Sequence, residues 1–269
     1  MRILFLSDYQ ALFQALELEA VRYSSLEILN ADSQTQPLVL PDFDFLFILP
    51  LGQQAEAGLA SNAIQLSFWQ ERLPQLVELC ESRNSRLVLI SSDLVFAPDQ
   101  EAVSELDSPL GSSLAAKQLI ALEQLVATNE QNIILRIPPL LSSDPEGGLA
   151  QLVERCQQHK TPENIDYRGL QPVNDLARVL LGICLQIDAG AQGSGVYHYA
   201  GSEPVSQTEL MHTLARTLEL PPYPADPSGT NRQGMNGQHL LESFGVHPRA
   251  WRSSLPNLLE ALNVLPSKA

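Results

Sequence analysis

The chain has 269 residues, of which 44% are hydrophobic and 17% are charged, and these values are ordinary for a globular protein with a large buried core. The formal net charge of -15 at pH 7 argues against a nucleic-acid partner, because phosphate binding needs a surface rich in lysine and arginine. It argues equally against an anionic membrane surface. The N-terminus has no signal-peptide pattern and no apolar stretch reaches transmembrane length, so we expect a cytoplasmic protein.

The cysteines and histidines show no metal-binding pattern. Cys80, Cys156 and Cys184 lie far apart, form no CxxC pair and fall in apolar segments of helical character. We therefore expect buried free thiols rather than disulfides or metal ligands. The five histidines are scattered without ligand spacing, so no metal site is predicted.

Short apolar runs alternate with amphipathic helical patterns through the first half of the chain. The runs predict strands and the amphipathic patterns predict helices between them. Pro74 should kink the second helix or mark its true start. Strands that alternate with helices in this way predict an α/β fold with a Rossmann-like, doubly wound parallel sheet. The predicted strands are 3–6, 26–29, 43–49, 86–91 and 132–137, and the predicted helices are 11–23, 62–83 and 113–127.

The pattern changes after Pro139, where helices predominate. Ser206 and Glu209 form a capping box at the head of one helix, and Asn174 or Asp175 is expected to cap another. We predict a Rossmann-like domain at 1–140, with a strand and helix from 165–200, and a smaller C-terminal substrate-binding-type lobe at 141–269. The predicted helices are 147–159, 172–185, 206–218, 237–244 and 255–262, and a strand is predicted at 195–199.

The turn after the first strand lacks the glycines of a dinucleotide-binding unit. Such a unit uses one glycine for the tight turn, one for approach to the pyrophosphate and one for close packing of the helix on the strand. Those three offsets hold Ser7, Gln10 and Phe13. We therefore expect no dinucleotide at these degenerate cofactor positions. A related hypothesis is that Tyr9 and Phe13 fill the emptied pyrophosphate space.

Several segments carry a family resemblance. Residues 87–96 read LVLISSDLVF, residues 109–117 read PLGSSLAAK, residues 171–177 read QPVNDLA and residues 196–201 read VYHYAG. In this order they resemble the ISTDYVF, PxNxYGxSKxxGE, PTYVxDLA and YHLAG motifs of the extended short-chain dehydrogenases/reductases. The closest resemblance is to the dTDP-4-dehydrorhamnose reductase family, a group with sugar-nucleotide-binding and NAD-dependent epimerase/dehydratase relatives.

The resemblance implies hydride transfer between NAD(P)H and a 4-keto sugar nucleotide. In that family a tyrosine is the general acid, a lysine four residues later lowers its pKa, and a serine or threonine orients the carbonyl. Lys117 matches the lysine and Ser92 matches the serine, but Ser113 stands at the tyrosine position. A serine hydroxyl is a far weaker acid than a phenol, so Ser113 cannot take over the role at ordinary pH.

The resemblance also implies that arginines hold the diphosphate of a sugar nucleotide, since a guanidinium suits phosphate well. Arg136 and Arg232 are the candidates for substrate binding. Each candidate has a simpler alternative: a solvent-facing arginine for Arg232, a helix-surface lysine for Lys117 and an ordinary strand-end serine for Ser92.

Three functions stay open. The first is a degenerate, non-catalytic relative that binds a nucleotide-like ligand or regulates a partner, as some relatives are known as regulatory subunits of other enzymes. The second is an active NAD(P)-dependent oxidoreductase or epimerase that acts on a sugar nucleotide through an atypical cofactor site. The third is a structural subunit that works only through protein contacts. Family resemblance also suggests a homodimer through 62–83 and 113–127, with Trp69 and Leu114 at the interface.

Overall fold

The structure is a computed structural model that describes residues 1–58, 66–223 and 234–265. The strands in these ranges are β1 (Arg2–Leu6), β2 (Glu27–Ala31), β3 (Phe45–Ile48), β4 (Arg86–Ser92), β5 (Ile133–Ile137), β6 (Leu140–Leu141), β7 (Asp166–Tyr167), β8 (Gln171–Pro172), β9 (Gly195–His198) and β10 (Val205–Ser206). The α-helices are α1 (Gln10–Ala20), α2 (Ser67–Arg83), α3 (Leu114–Val126), α4 (Gly148–Gln157), α5 (Val173–Asp188), α6 (Gln207–Thr217), α7 (Gln238–Phe244) and α8 (Leu255–Ala261). None of these helices is long and apolar enough to cross a membrane.

One parallel sheet organises the described chain. Its six strands follow the order β2-β1-β3-β4-β5-β9, and every neighbouring pair is parallel. β2 and β3 lie on opposite sides of β1, so the direction of winding along the sheet reverses there. This reversal is a topological switch point, where ligands of open α/β sheets bind outside the carboxyl ends of the strands. The predicted Rossmann-like, doubly wound parallel sheet is confirmed.

Helices cover both faces of this sheet. α1 packs against α5, and α2 packs against α3. The β1–α1–β2 and β3–α2–β4 crossovers run in opposite directions along the sheet. Because such crossovers are right-handed, α1 and α2 lie on opposite faces.

The sequence explains where several helices begin. Ser113 precedes α3, and its Oγ accepts a hydrogen bond from the Ala116 N–H at 3.1 Å. Of the predicted capping box before α6, the serine half is observed: Ser206 Oγ accepts from the Glu209 N–H at 3.1 Å, while the Glu209 carboxylate binds Arg252. Each serine supplies an acceptor to an N–H group that has no partner within its helix.

The predicted cap of α5 was wrong. Pro172 is the cap residue, and Asp175 lies inside the first turn of the helix. The Asp175 carboxylate instead accepts hydrogen bonds from Arg178 and from the Tyr199 hydroxyl. Pro74 also lies inside α2, which begins at Ser67, so Pro74 does not mark the start of that helix.

The described chain has two apolar clusters. The larger contains the sheet together with α1, α2, α3 and α5. The smaller is built by α4, α6 and α8 around Trp251, and except for Ala57 its residues come from Leu141 onwards. The division into domains at 1–140 and 141–269 stays a prediction.

The cysteines agree with the sequence analysis, whereas one interface residue does not. Cys80, Cys156 and Cys184 are buried free thiols. Trp69 is buried in the larger cluster of its own chain, so it is unsuited to a dimer interface. Leu114, the other candidate, is exposed.

Candidate functional site

The carboxyl ends of β1 and β3 are joined at the switch point by Ser7. This buried serine accepts a hydrogen bond from the Tyr9 N–H at 3.3 Å. Its hydroxyl donates to the carbonyl oxygen of Leu49, the residue that follows β3, at 3.4 Å. A side chain therefore bridges two strand ends at a position where a glycine would present only backbone.

Tyr9 extends this closure from the start of α1 to the segment after β3. Its buried hydroxyl donates to Glu56 Oε1 at 2.5 Å. Burial, followed by the neighbouring Glu56 carboxylate, raises the pKa of Tyr9 above its ordinary value. The phenol is therefore held in its protonated, donating form.

Glu56 is the centre of a buried polar cluster. It is 3% exposed, and it accepts from the Ser142 hydroxyl at 2.7 Å and from the Gly148 N–H at 2.6 Å. Burial raises the pKa of Glu56, while its hydrogen bonds with Tyr9, Ser142 and Gly148 act in the opposite direction. The carboxylate thereby ties α1 and the β3 end to the first turn of α4.

Two glycines allow this approach of α4. A Cβ added at Gly148 would lie 1.8 Å from the Ala57 carbonyl oxygen, and one at Gly147 would lie 2.5 Å from Glu56 Oε2. The first contact is with backbone, which cannot move aside easily. The α4 N-terminus therefore requires Gly148 to reach Glu56.

The other two glycine-turn positions have different surroundings. Gln10 is exposed at the start of α1. Phe13 is half-buried, and its ring stacks on that of Phe5 in β1 with centroids 6.5 Å apart. A phenyl ring thus occupies the helix–strand contact where a dinucleotide-binding unit has a glycine. The Asp8 carboxylate accepts from the Ser33 hydroxyl at 3.1 Å, which links the same turn to the segment after β2.

The three predicted catalytic positions are not equivalent. Ser92 is the last residue of β4. It lines a cleft of 960 Å³ that lies between the carboxyl end of this strand, α4 and residues 163–168. Ser113 is the exposed N-cap of α3, and Lys117 is exposed one turn later. Neither Ser113 nor Lys117 lines the cleft. Their catalytic roles stay predictions.

The arginines that line the cleft are bound to protein acceptors. Arg155 pairs with Glu163 and also donates to the Thr161 carbonyl oxygen. Buried Arg168 donates to the carbonyl oxygens of Glu101 at 2.7 Å and Ala97 at 2.9 Å. These contacts hold loops in place without a ligand.

Arg136, a predicted substrate-binding residue, belongs to a buried network behind the β4 end. Its guanidinium donates to Glu123 Oε2 at 2.8 Å, and Glu123 Oε1 also accepts from the Ser91 hydroxyl at 2.6 Å. Arg136 Nε also donates to Glu123, and Nη1 lies 3.4 Å from His198 Nε2. A diphosphate role for Arg136 would require breaking this buried ion pair. Arg232, the other candidate, lies outside the described residues.

His198 completes this network in its neutral form. Its Nδ1 lies 3.1 Å from the Asn236 carbonyl oxygen, so Nδ1 carries the proton and Nε2 accepts from Arg136. Burial, and then the Arg136 charge, lower the pKa of His198 to about 3. Among the residues that the structure describes, no group of three or more histidine, cysteine or acidic side chains is placed to hold a metal ion.

Sequence reasoning missed Glu56 and Ser142. The available signals were an acidic residue soon after the predicted third strand and the adjacent pair Gly147-Gly148, which permits close backbone contact. Neither signal identifies its partner.

Comparison with known proteins decides the family. The family model described as "RmlD substrate binding domain" matches residues 62–264. The chain belongs to this family. The resemblance to dTDP-4-dehydrorhamnose reductases found in the sequence is therefore confirmed at the family level.

One relative is named as a subunit of an enzyme. Methionine adenosyltransferase 2 subunit beta of Xenopus laevis is 25% identical over 178 residues, which cover 61% of this chain and 53% of that protein. This chain therefore spans about half the length of that relative.

Two solved structures share the fold. The dTDP-4-dehydrorhamnose reductase of Clostridium acetobutylicum gives a TM-score of 0.75 at 16% identity, over 98% of this chain and 100% of that one. MoeE5 in complex with UDP-glucose and NAD gives a TM-score of 0.74 at 17% identity, over 98% and 99%. At these identities the likeness concerns the fold.

Proposed function

We propose that this protein is a non-catalytic member of the RmlD family that acts by binding, as a component that regulates a partner protein. The contact between Tyr9 and Glu56 across the ends of β1 and β3 carries this proposal. It places a buried side chain and a buried carboxylate at the switch point, where relatives need room for a cofactor.

The residues at this point do not fit a dinucleotide. A pyrophosphate needs a glycine turn, free N–H groups and no nearby negative charge. Here the N–H of Tyr9 is bonded to Ser7, and the Glu56 carboxyl group lies against the Tyr9 hydroxyl. No step of hydride transfer is therefore assigned to this chain.

The tyrosine position supports the same proposal. The Ser113 hydroxyl oxygen accepts from the Ala116 N–H, so this side chain acts as the N-cap of α3. An unperturbed aliphatic hydroxyl also has no accessible protonation change near neutral pH, unlike a phenol beside an ammonium group.

A partner-binding role is supported by the Xenopus laevis relative, whose name describes one subunit of a methionine adenosyltransferase. An assembly component needs a stable fold and a surface, and it needs no reductase site. A methionine adenosyltransferase from the same source is therefore the first partner to test by co-purification.

Cofactor titration tests the non-catalytic assignment. NADH and NADPH are each titrated into the full chain, with calorimetry and melting temperature as readouts. We expect no heat of binding and no thermal shift. A nucleotide at about 100 times its Kd would stabilise the fold by about 2.7 kcal/mol, which is readily measured. The Ser113→Tyr variant should also show no NADPH oxidation with a keto-sugar nucleotide, because restoring the phenol does not reopen the turn.

The active oxidoreductase is the second candidate, and Ser92 beside the 960 Å³ cleft favours it. Micromolar binding of either nucleotide, together with reductase activity that Lys117→Ala abolishes, would establish this second function and overturn the first.

A further inference from the structure

Four leucines form an exposed apolar surface around the start of α3. Their exposed fractions are 96% for Leu106, 62% for Leu110, 60% for Leu114 and 37% for Leu94. We name this surface the leucine patch. Single exposed leucines are common on soluble proteins, but several in one region mark an interaction surface.

Backbone contacts bring Leu94 and Leu110 into one region, and the other two leucines are near Leu110 in the sequence. Gly111, which follows Leu110, donates its N–H to the Val95 carbonyl oxygen at 2.8 Å. A Cβ at Gly111 would lie 2.7 Å from the carbonyl oxygen of Leu94. Leu114 follows in the first turn of α3, and Leu106 lies four residues before Leu110.

The loop that carries Leu106 and Leu110 is fixed by hydrogen bonds. Gln100 Oε1 accepts from the N–H groups of Ala97 at 2.8 Å and Leu110 at 3.2 Å. Gln100 Nε2 donates to the Ser108 carbonyl oxygen at 3.1 Å. At the base of the loop, the Val103 carbonyl oxygen accepts from the Asn236 N–H at 2.7 Å. The leucines are therefore held outward by a defined loop and are not exposed merely because the chain is loose.

The loop that carries the patch is acidic, and exposed Lys117 follows one turn after Leu114. Between Arg86 and Lys117 the sequence contains no lysine or arginine. It contains five carboxylates in that interval: Asp93, Asp99, Glu101, Glu105 and Asp107. Asp99 and Glu101 flank Gln100, so they lie beside the residue that binds Leu110.

We propose that the leucine patch docks a basic amphipathic segment of a partner protein, in which apolar side chains alternate with lysine and arginine. This inference rests on the proposed partner-binding function and specifies the chemistry of the partner. Apolar contact favours association, and opposite charge steers it and excludes wrong partners. A second copy of this chain is a poor occupant, because its own patch carries the same negative charge.

Selection from a random peptide library tests this chemistry. Displayed 16-residue peptides, a length of about four helical turns, are selected on the immobilised full chain. We expect enrichment of peptides with a net positive charge and leucine-like residues at helical spacing. Binding of an enriched peptide should weaken at least tenfold in Leu106→Ser/Leu110→Ser, and several-fold in Asp99→Asn/Glu101→Gln.

Leu18→Ser/Val21→Ser is the matched control, since Leu18 in α1 and Val21 at the C-cap of α1 are both exposed apolar side chains. This control should bind like the parent, and all variants should keep the parent's melting temperature. Enrichment of acidic peptides, no enrichment, or equal binding by Leu106→Ser/Leu110→Ser would overturn the proposal. A dimer seen by light scattering and abolished by Leu106→Ser/Leu110→Ser would also overturn it, in favour of self-association. None of these outcomes depends on nucleotide binding, so the proposed loss of the cofactor site is tested separately.

Discussion

Ser113 stands at the position of the family's tyrosine, and in this structure its side chain has a structural role. As the N-cap of α3 it gives the Ala116 N–H an acceptor, which a tyrosine side chain is poorly shaped to do. Tyr9 shows the opposite. Its phenol does not lie at the position that resembles the family's catalytic tyrosine, but it is buried at the switch point and binds Glu56. In both residues the hydrogen-bond partner determines the role of the hydroxyl group: Ser113 caps a helix, and Tyr9 binds Glu56.

The Tyr9 hydroxyl should make a measurable contribution to stability. Tyr9→Phe keeps the ring but leaves buried Glu56 without one of its donors. We expect a loss of about 1–3 kcal/mol in the free energy of unfolding, measured by urea denaturation. Tyr23→Phe is the control, because Tyr23 is less buried. Equal effects of the two substitutions would contradict the assigned contact.

His198 should give the protein a measurable sensitivity to acid. Its pKa is lowered to about 3 from 6.5, so the folded chain binds fewer protons than the unfolded chain between these values. Stability from this residue is therefore complete above pH 6.5 and is lost as the pH falls towards 3. Between pH 7 and pH 5 we expect a loss of about 2 kcal/mol through His198.

His198→Asn should remove this part of the pH dependence, measured by urea denaturation at each pH. His159→Asn is the control, because exposed His159 has φ of 52°, a conformation that asparagine tolerates. Carboxylates titrate alike in both variants, so the difference between them isolates His198. An unchanged slope in His198→Asn would show that its imidazole is not held neutral.

At the scale of elements, the sequence was sufficient to predict those features that depend on neighbouring residues in the chain. Apolar runs predicted every strand of the central sheet, and Ser206 with Glu209 predicted the head of α6. Asp175 does not cap α5 as predicted, because its carboxylate binds Arg178 and the distant Tyr199 hydroxyl. Glu56 was missed for the same reason, as its partners lie 47, 86 and 92 residues away in the sequence.

Gly148 and Gly182 should respond in opposite ways to alanine. At Gly148 the new Cβ would lie 1.8 Å from the Ala57 carbonyl oxygen, so α4 must move away from Glu56. We expect Gly148→Ala to cost about 3 kcal/mol or more in unfolding free energy. Gly182 lies inside α5 with open space around its Cβ position, so Gly182→Ala should stabilise by about 0.5–1 kcal/mol. A mild effect at Gly148, comparable to that at Gly182, would contradict the close approach of α4.

At the scale of the whole molecule, Glu56 connects the two apolar clusters. The β3 end and Tyr9 belong with the larger cluster, whereas α4 belongs with the smaller one. Tyr9, Ser142 and Gly148 each donate a hydrogen bond to the buried Glu56 carboxylate. These bonds fix the relative position of the two clusters, because a donor or acceptor that lost its partner would be a buried polar group without a hydrogen bond.

The buried cysteines report on this connection. Burial raises the pKa of Cys156 in α4 to about 11 and that of Cys80 in α2 to about 12, so both thiols should resist alkylation in the parent. Glu56→Gln removes acceptor capacity at the α4 N-terminus. We expect Cys156 to be alkylated about tenfold faster while Cys80 changes little, as measured by mass spectrometry. Glu146→Gln, an exposed change near α4, should leave both rates unaltered. Equal acceleration of both thiols would indicate global rather than local opening.

The amide of Gln100 also has a consequence for kinetics. The Gln100 amide binds the backbone of Ala97, Ser108 and Leu110, so the loop has one conformation before a partner binds. Its conformational entropy is lost during folding rather than on association. Complex formation at the leucine patch would therefore proceed in a single bimolecular phase, without a slow rearrangement. Added salt would chiefly reduce how often the partners meet, and would have less effect on how long they remain together.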